Sequence, residues 1–188
     1  MRAEIIAAHE TDPAKVARAC AGDTPEARDI WYMKHMPHHM IEGFDLTWAG
    51  SCINMHLIRH PAHVIASYLA KRDLPSLTDI GYPQQWALYQ HLPGPIFDSE
   101  DIRANPEAML RLICDMANIP FDPAMLSWRA GPRASDGVWA RHWYGAVHRS
   151  TGISEPERPL PELPQTYQSL LNEALEYYAQ MRSHRVRA

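Results

Sequence analysis

The feature that most constrains the fold is an apolar run that ends in a polar turn followed by a proline. The run is Cys52–Ile58, and Arg59, His60 and Pro61 follow it directly. Proline is favoured at the first position of a helix, because its φ is already helical and its missing amide hydrogen would be unpaired there anyway. This spacing predicts a strand that passes straight into a helix running from residue 61 to about residue 72.

The alternation of strand and helix recurs along the chain. Short apolar runs predict two more strands, at 30–33 and 95–98. Apolar residues at helical spacing predict further helices, at 1–20, 78–91, 105–118 and 164–182. Asn105 is the predicted N-cap of the helix at 105–118, with Pro106 in its first position. Strands that alternate with helices favour an α/β fold, in which helices flank a parallel sheet.

The length of 188 residues suits a single domain spanning residues 1–188. We predict a core at about 29–150, a proline-rich linker at 155–164 and a C-terminal helix at 164–182 that docks on the sheet. Cys20, Cys52 and Cys114 show no CxxC spacing and are predicted to be reduced core residues.

Charge and hydropathy exclude several classes of function. The formal net charge is -4, which disfavours general binding to nucleic acid or to an anionic membrane. The sequence has no apolar signal segment and no stretch of about 20 apolar residues that could cross a membrane. We therefore expect a cytoplasmic protein whose anion site, if it has one, is local.

Arg59 and Ser67 are the first candidates for such a site. An arginine that leaves the carboxyl end of a strand and a serine on the next helix can meet in the crevice where parallel α/β sheets bind ligands. A guanidinium and a hydroxyl are both donors suited to phosphate oxygens. The residues alone leave an alternative open, in which Arg59 pairs with a carboxylate such as Asp98 and Ser67 faces the helix surface.

Arg59, Pro61 and Ser67 match in identity and spacing the R-x-P-x-x-x-x-x-S motif of the sulfotransferases that use 3′-phosphoadenosine 5′-phosphosulfate (PAPS). Three later blocks resemble the same family in the same order, at 98–110, 118–122 and 133–143. The last block is similar to the R-K-G-x-x-G-x-W-x-x-H-F loop, with Arg133 at a basic position and Ala134 in place of a glycine. Together the blocks cover roughly residues 30–150.

The resemblance implies a three-layer fold like that of the P-loop nucleoside triphosphate hydrolases, without its first strand and P-loop. It also implies transfer of a sulfuryl group from PAPS to a hydroxyl or amine of a small molecule, without a metal. By the same resemblance, Arg59, Ser67 and Arg133, with the backbone at Gly137, would bind the 3′-phosphate of PAPS.

The stretch from Lys34 to Met40 lies where the family has a K-x-H motif with a catalytic histidine. Lys34 fits the lysine, but Met36 stands at the histidine position, so the base would be His35, His38 or His39. A histidine can take the acceptor's proton and a lysine can stabilise the leaving group. Two alternatives remain open: the three histidines could bind zinc, or they could pack beside Trp31 and Trp48.

One element of the family is missing. Sulfotransferases carry a first strand and a loop rich in Gly, Ser and Thr that binds the 5′-phosphosulfate, whereas residues 1–29 contain one glycine, Gly22. We therefore expect either a shortened enzyme or a derivative that has lost catalysis and kept binding to a nucleotide or a protein. Loss of the first strand would also expose a sheet edge, which favours self-association.

Overall fold

The computed structural model describes residues 2–40, 43–71, 74–153 and 156–188. Its ten α-helices in the described ranges are α1 Arg2–Ala8, α2 Pro13–Cys20, α3 Pro61–Leu69, α4 Leu77–Ile80, α5 Tyr82–His91, α6 Ser99–Ala104, α7 Pro106–Met116, α8 Ala140–Trp143, α9 Gly145–Arg149 and α10 Gln168–Ser183. Short 3₁₀ turns lie at Pro25–Ala27, Pro37–His39, Thr47–Ser51, Pro123–Leu126 and Gln165–Tyr167. The strands are β1 His56–Ile58 and β2 Ile96–Asp98.

The sheet is small and parallel. β1 and β2 pair with His56 opposite Ile96 and Ile58 opposite Asp98. On the other side of β2, the residues after α10 continue the pairing, because the Val186 amide donates to the Ile96 carbonyl at 2.8 Å. β2 is therefore the central segment, and all three of its residues are buried. The predicted mixed α/β fold with a parallel sheet is confirmed at this level.

The predicted strand at 30–33 is wrong. That segment has no helix or strand, and its side chains are not those of a buried strand, since Ile30 is 53% exposed and Tyr32 is 84% exposed. The predicted strand at 52–58 is shortened to 56–58, while the one at 95–98 is confirmed as 96–98. A short apolar run becomes a strand only where another segment lies beside it to pair with.

The sequence signals for helix starts at Pro61 and Asn105 are confirmed. α3 begins at Pro61 as predicted, and the Nδ1 atom of His60 accepts the Ala62 amide at 3.2 Å as its cap. α3 ends at Leu69, and residue 72, the predicted end, lies outside the described residues. Asn105 is confirmed as the N-cap of α7, with its side-chain oxygen 3.4 Å from the Ala108 amide.

Two of the predicted helical segments each contain two helices, an outcome that the pattern at 1–20 allowed and the one at 78–91 did not. The predicted helix at 78–91 is split at Gly81, which adopts the left-handed φ of 79° that glycine tolerates best. The predicted segment at 1–20 forms α1 and α2, separated by Asp12, whose carboxylate caps α2 by accepting the amides of Ala14 and Lys15. No helix within the described ranges has the length and apolar character needed to cross a membrane.

The C-terminal helix docks on the sheet as predicted and closes the core. Ala174, Tyr178 and Met181 of α10 are buried against Ile58 and Ile96 of the two strands. Full burial of each large apolar side chain contributes about 1.5–3 kcal/mol. α10 therefore fixes the sheet from one face and brings its own polar groups to the strand ends.

α5 covers the outer edge of β1. The carbonyl of Leu57 accepts a hydrogen bond from the Gln85 side chain at 2.7 Å, and the carbonyl of Arg59 accepts one from the Tyr82 hydroxyl at 2.6 Å. The amide of His56 faces the opposite edge of β1 and donates to the Pro95 carbonyl, directly before β2. Self-association through a sheet edge stays a prediction, and it would have to use acceptors other than these two carbonyls.

Candidate functional site

The candidate site lies where β1 and β2 end. Because the two strands are parallel, their carboxyl ends meet at one edge of the sheet, the place where α/β folds bind ligands. Arg59 is the first residue after β1, and Ser99 is the first residue after β2 and the first of α6. The turn at His60 and Pro61 sends the chain into α3, so that α3 and α6 both start at this edge.

Arg59 forms an ion pair at this edge with Glu157, a residue of the proline-rich segment. Its Nη2 atom lies 2.5 Å from Oε1 of Glu157, whose side chain is 10% exposed, whereas the Arg59 side chain is 42% exposed. The alternative in which Arg59 pairs with a carboxylate is therefore realised, but the carboxylate is not Asp98. The Arg59 side chain is therefore only partly covered by this ion pair.

Three further side chains surround the Glu157 carboxylate. Ser99 donates its hydroxyl to Oε2 at 3.2 Å, the Nε atom of Arg103 lies 3.8 Å from Oε2, and Nε2 of His63 lies 4.0 Å from Oε1. Burial acts to raise the pKa of the Glu157 carboxyl. The hydrogen bond from Arg59 and the charges around it outweigh burial, so the net shift of this pKa is downward and Glu157 is an anion at neutral pH.

Asp98 is held by a different set of partners. It is fully buried, and its Oδ2 atom accepts the Tyr178 hydroxyl at 2.6 Å and Nε of Arg182 at 3.3 Å. Its Oδ1 atom accepts the Glu100 amide at 3.1 Å, which caps α6. Burial, followed by the hydrogen bond to Asp98, raises the pKa of Tyr178 and keeps this phenol neutral. This cluster ties α10 to the end of β2 and engages both carboxylate oxygens of Asp98 with partners other than Arg59.

Ser67 lies on α3, one turn beyond His63, and its side chain is exposed. Its hydroxyl makes no hydrogen bond with any residue in the described ranges. Since residues four apart on a helix are neighbours, Ser67 is on the same face of α3 as His63. The structure does not bring the Ser67 hydroxyl into contact with Arg59.

The loop that carries Arg133 and Gly137 forms its own cluster. The Arg133 amide donates to Asp136 at 2.8 Å, and Asp136 also contacts Nε2 of His148 at 2.9 Å. The amide hydrogen bond is the main cause of the lowered pKa of Asp136. Gly137 packs on Trp139 so closely that a Cβ atom there would lie 2.0 Å from the indole ring.

The Arg133 side chain is exposed and makes no ion pair within the described part of the chain. The helix after this loop, α8, reaches the far end of α3, since the Lys71 ammonium donates to the Trp143 carbonyl at 3.3 Å. The loop therefore leads into a helix that contacts the residue two positions after the end of α3. None of the hydrogen bonds among the described residues joins the loop to the Arg59 guanidinium.

The segment with Lys34, His35 and His38 lies against the start of α5. Gly81 approaches the His38 backbone so closely that a Cβ atom on it would lie 3.2 Å from the His38 nitrogen. The next residue, Tyr82, donates to the Arg59 carbonyl. The candidate catalytic segment and the candidate anion site are therefore joined through the first residues of α5.

His35 is exposed to solvent, but its ring lies 5.3 Å from that of Trp48, which is one of the packing contacts that the sequence left open. Burial lowers the pKa of His35 and that of His39, so both are neutral at pH 7. Lys34 is exposed and forms no ion pair with a described residue. Among residues 2–40, 43–71, 74–153 and 156–188, no group of three or more potential ligands could hold a metal ion.

Sequence reasoning missed Glu157, His63 and Arg103. His63 lies inside the R-x-P-x-x-x-x-x-S motif, and Arg103 follows Ser99 by four residues, which is one helical turn. Both were therefore within reach of a search for basic residues near the strand ends. Glu157 had no local signal, because it lies 98 residues from Arg59 in a proline-rich segment.

Comparison with known proteins gives one family. The family model described as "Sulfotransferase domain" matches residues 1–185. Branched-chain-amino-acid aminotransferase-like protein 1 of Arabidopsis thaliana is 34% identical over 158 residues, which cover 81% of this chain and 28% of that protein. Branched-chain-amino-acid aminotransferase-like protein 2 of the same plant is 31% identical over 186 residues, which cover 96% of this chain and 33% of that protein. The chain thus spans about a third of these relatives, and no solved structure matches it.

Proposed function

The chain belongs to the sulfotransferase domain family, and from that premise we propose that it binds PAPS and transfers its sulfuryl group to a hydroxyl or amine of a small molecule. The observation that carries the proposal is the position of Arg59. It leaves the carboxyl end of a parallel strand directly before a proline-started helix, and its side chain is 42% exposed at the edge of the sheet where α/β folds bind ligands.

In this proposal Arg59 binds the 3′-phosphate of PAPS through its planar fork of donors. Ser67, on α3, and Arg133, in the loop before α8, would contact the nucleotide from the carboxyl-terminal end of α3. Gly137 would offer its backbone amide. The exposure of Ser67 and Arg133 supports these roles, since both side chains are available to a ligand.

The reaction needs a base and a cation. In the transfer, the acceptor oxygen or nitrogen forms a bond to sulfur while the bond from sulfur to the phosphate oxygen breaks, and the acceptor's proton passes to the base. His35 or His38 would be that base, and the low pKa that burial gives His35 keeps it ready to accept a proton at pH 7. Lys34 would stabilise the charge that develops on the leaving phosphate oxygen.

The three-layer, P-loop-like arrangement of the family is also part of the proposal. The supporting features are the parallel pair of strands, the α3 and α6 helices that start at their carboxyl ends, and α10 packed on one face. The proposal also includes PAPS as the cosubstrate, a reaction without a metal, a small-molecule acceptor and a cytoplasmic location.

Isothermal titration with adenosine 3′,5′-bisphosphate tests the binding step. Wild type should bind, and Arg59→Ala should bind at least about tenfold more weakly, because it loses a charge-assisted pair of hydrogen bonds. Arg28→Ala is the matched control, since the Arg28 side chain is 74% exposed and pairs only with its neighbour Glu26 among the described residues. No binding by folded wild type would end the proposal.

A second candidate function is binding of a nucleotide or a protein without turnover. One observation favours it: the position expected for the 3′-phosphate is filled by the Glu157 carboxylate. Transfer of labelled sulfate from PAPS into a panel of alcohols and amines separates the two candidates, because only the enzyme forms product.

A further inference from the structure

Four polar side chains surround the Glu157 carboxylate, but only two of them lie within hydrogen-bond distance of it. Arg59 binds one of its oxygens at 2.5 Å and Ser99 binds the other at 3.2 Å. Arg103 and His63 also point at these oxygens, but from 3.8 Å and 4.0 Å, which are too long for hydrogen bonds.

Two of these donors are left without partners. Nε2 of His63 and Nε of Arg103 are buried and make no hydrogen bond to any residue in the described ranges. His63 as a whole is only 9% exposed. Burying a polar nitrogen without a partner is costly, so native structures rarely keep two such groups side by side. Both nitrogens lie within 4.0 Å of the same carboxylate without forming a hydrogen bond to it, so this carboxylate satisfies the surrounding donors incompletely.

A tetrahedral oxyanion matches this set of donors better than a planar carboxylate does. A phosphate or sulfate group presents three or four oxygens in different directions, whereas a carboxylate presents two in one plane. The four groups come from three places in the fold: Arg59 from the end of β1, His63 from α3, and Ser99 and Arg103 from α6. Donors spread around a point in this way suit a group with oxygens on all sides.

Glu157 is also attached in a way that permits its removal. Residues 156–164 form no helix or strand, and no backbone-to-backbone hydrogen bond joins residues 156–163 to the other described residues. Leu160, three residues after Glu157, is 57% exposed. The carboxylate is therefore held mainly by its own side-chain contacts with the pocket.

We propose that Arg59, His63, Ser99 and Arg103 form an oxyanion pocket that Glu157 fills in the ligand-free chain, and that a phosphate or sulfate group of a ligand displaces Glu157 to enter. This inference rests on the proposed function for the identity of the ligand, a nucleotide that carries a phosphate monoester. Glu157 acts as an internal competitor. It lowers the affinity for anions and, when expelled, moves the proline-rich segment that leads to α10.

Titration with inorganic phosphate and, in parallel, with sulfate tests the pocket by calorimetry at constant ionic strength. Glu157→Gln keeps the shape of the side chain but removes the competing charge, so it should bind phosphate at least about tenfold more tightly than wild type. Glu162→Gln, an exposed position in the same segment, should match wild type. In the Glu157→Gln background, Arg103→Ala should lose about tenfold of that affinity. The inference is overturned if Glu157→Gln binds both phosphate and sulfate with affinities within twofold of those of wild type.

The wild-type chain offers a second measurement that needs no variant. Phosphate should shift the nuclear magnetic resonance signals of the His63 imidazole with a saturable dependence on concentration, because the free nitrogen gains an acceptor. Chloride at the same ionic strength should not shift them. An imidazole signal that responds equally to both salts refutes the pocket.

Adenosine 3′,5′-bisphosphate separates this inference from the proposed function. Tight phosphate binding by Glu157→Gln together with no binding of the nucleotide supports the pocket and ends the sulfotransferase proposal. The opposite result is nucleotide binding by wild type that depends on Arg59 but is unaffected by Glu157→Gln or Arg103→Ala. That result keeps the sulfotransferase proposal and overturns Glu157 as a competitor.

Discussion

Replacing Asp98 by alanine should strongly destabilise the protein, because this residue connects the C-terminal helix to the end of β2. Its carboxylate is fully buried and accepts hydrogen bonds from Tyr178, from Arg182 and from the Glu100 amide. Alanine would leave the buried Tyr178 hydroxyl without an acceptor and α6 without its cap. Since Ser99 is the next residue, the anion pocket would lose its support as well.

The magnitude follows from the burial of each partner. An unpaired buried hydroxyl costs about 1–3 kcal/mol and a lost N-cap costs about 1 kcal/mol. Arg182 contributes less, because its side chain is 37% exposed and keeps its contact with Glu100 at 2.6 Å. We expect a total loss of about 2–5 kcal/mol, which for a domain of this size lowers the melting temperature by roughly 4–20 °C.

Urea denaturation followed by circular dichroism measures this loss, and Glu100→Gln is its matched control. Glu100 binds the same Arg182 but is 56% exposed, so its loss should cost at most about 1 kcal/mol. Tyr178→Phe should cost less than Asp98→Ala, and the two effects should not add, because both remove the same hydrogen bond. A loss below about 1 kcal/mol for Asp98→Ala would refute the reasoning.

Three other predictions follow from the described contacts. Glu157 has a lowered pKa in the folded chain, so its contribution to stability is present above the unfolded pKa of about 4.3 and is lost as the pH falls through the folded value. Glu157→Gln should flatten the pH dependence of the free energy of unfolding below about pH 5, and an unchanged pH profile would contradict the ion pair. Gly94→Ala would bring a Cβ atom to 2.0 Å from the Asn54 carbonyl oxygen beside β1, so it should lower the free energy of unfolding in urea by about 1–3 kcal/mol. Gly50→Ala, whose Cβ atom would meet nothing within 4 Å, should lower it far less. Equal losses would show that the backbone near Asn54 moves to accommodate the new Cβ atom. If the sulfuryl transfer occurs, either His35→Ala or His38→Ala should lower kcat about 10²- to 10⁴-fold, with the exposed His91→Ala as control, and equal rates in all three variants would remove both histidines as the base.

Local signals in the sequence were sufficient for the helix starts. Proline in the first position and an asparagine cap act within one turn of backbone, so Pro61 and Asn105 mark the beginnings of α3 and α7 correctly. The strand at 30–33 was predicted from an equally local pattern and is absent. A strand also needs a partner that may lie far away in sequence, and Tyr32 in this run faces solvent instead.

In the candidate site, too, the sequence predicted what depends on local structure and not what depends on distant contacts. The sequence identified Arg59 correctly as the basic group at a strand end, because that placement depends only on the strand, the turn and the proline. It could not identify the partner of Arg59. Asp98 and Glu157 are both acidic, and only the docking of α10, which commits Asp98 to Tyr178 and Arg182, decides between them.

The choice of partner determines whether the pocket can open. Asp98 belongs to the central strand and to the buried contact with α10, so an Arg59–Asp98 pair could be broken only by disturbing the core. Glu157 belongs to a segment without a helix or strand, and its carboxylate leaves two buried donors unsatisfied. Residues 156 and 158–160 beside it are already exposed, and an incoming oxyanion would gain those two donors. The same arginine would therefore be a fixed structural residue beside Asp98, whereas beside Glu157 it remains available to a ligand that competes successfully for the pocket.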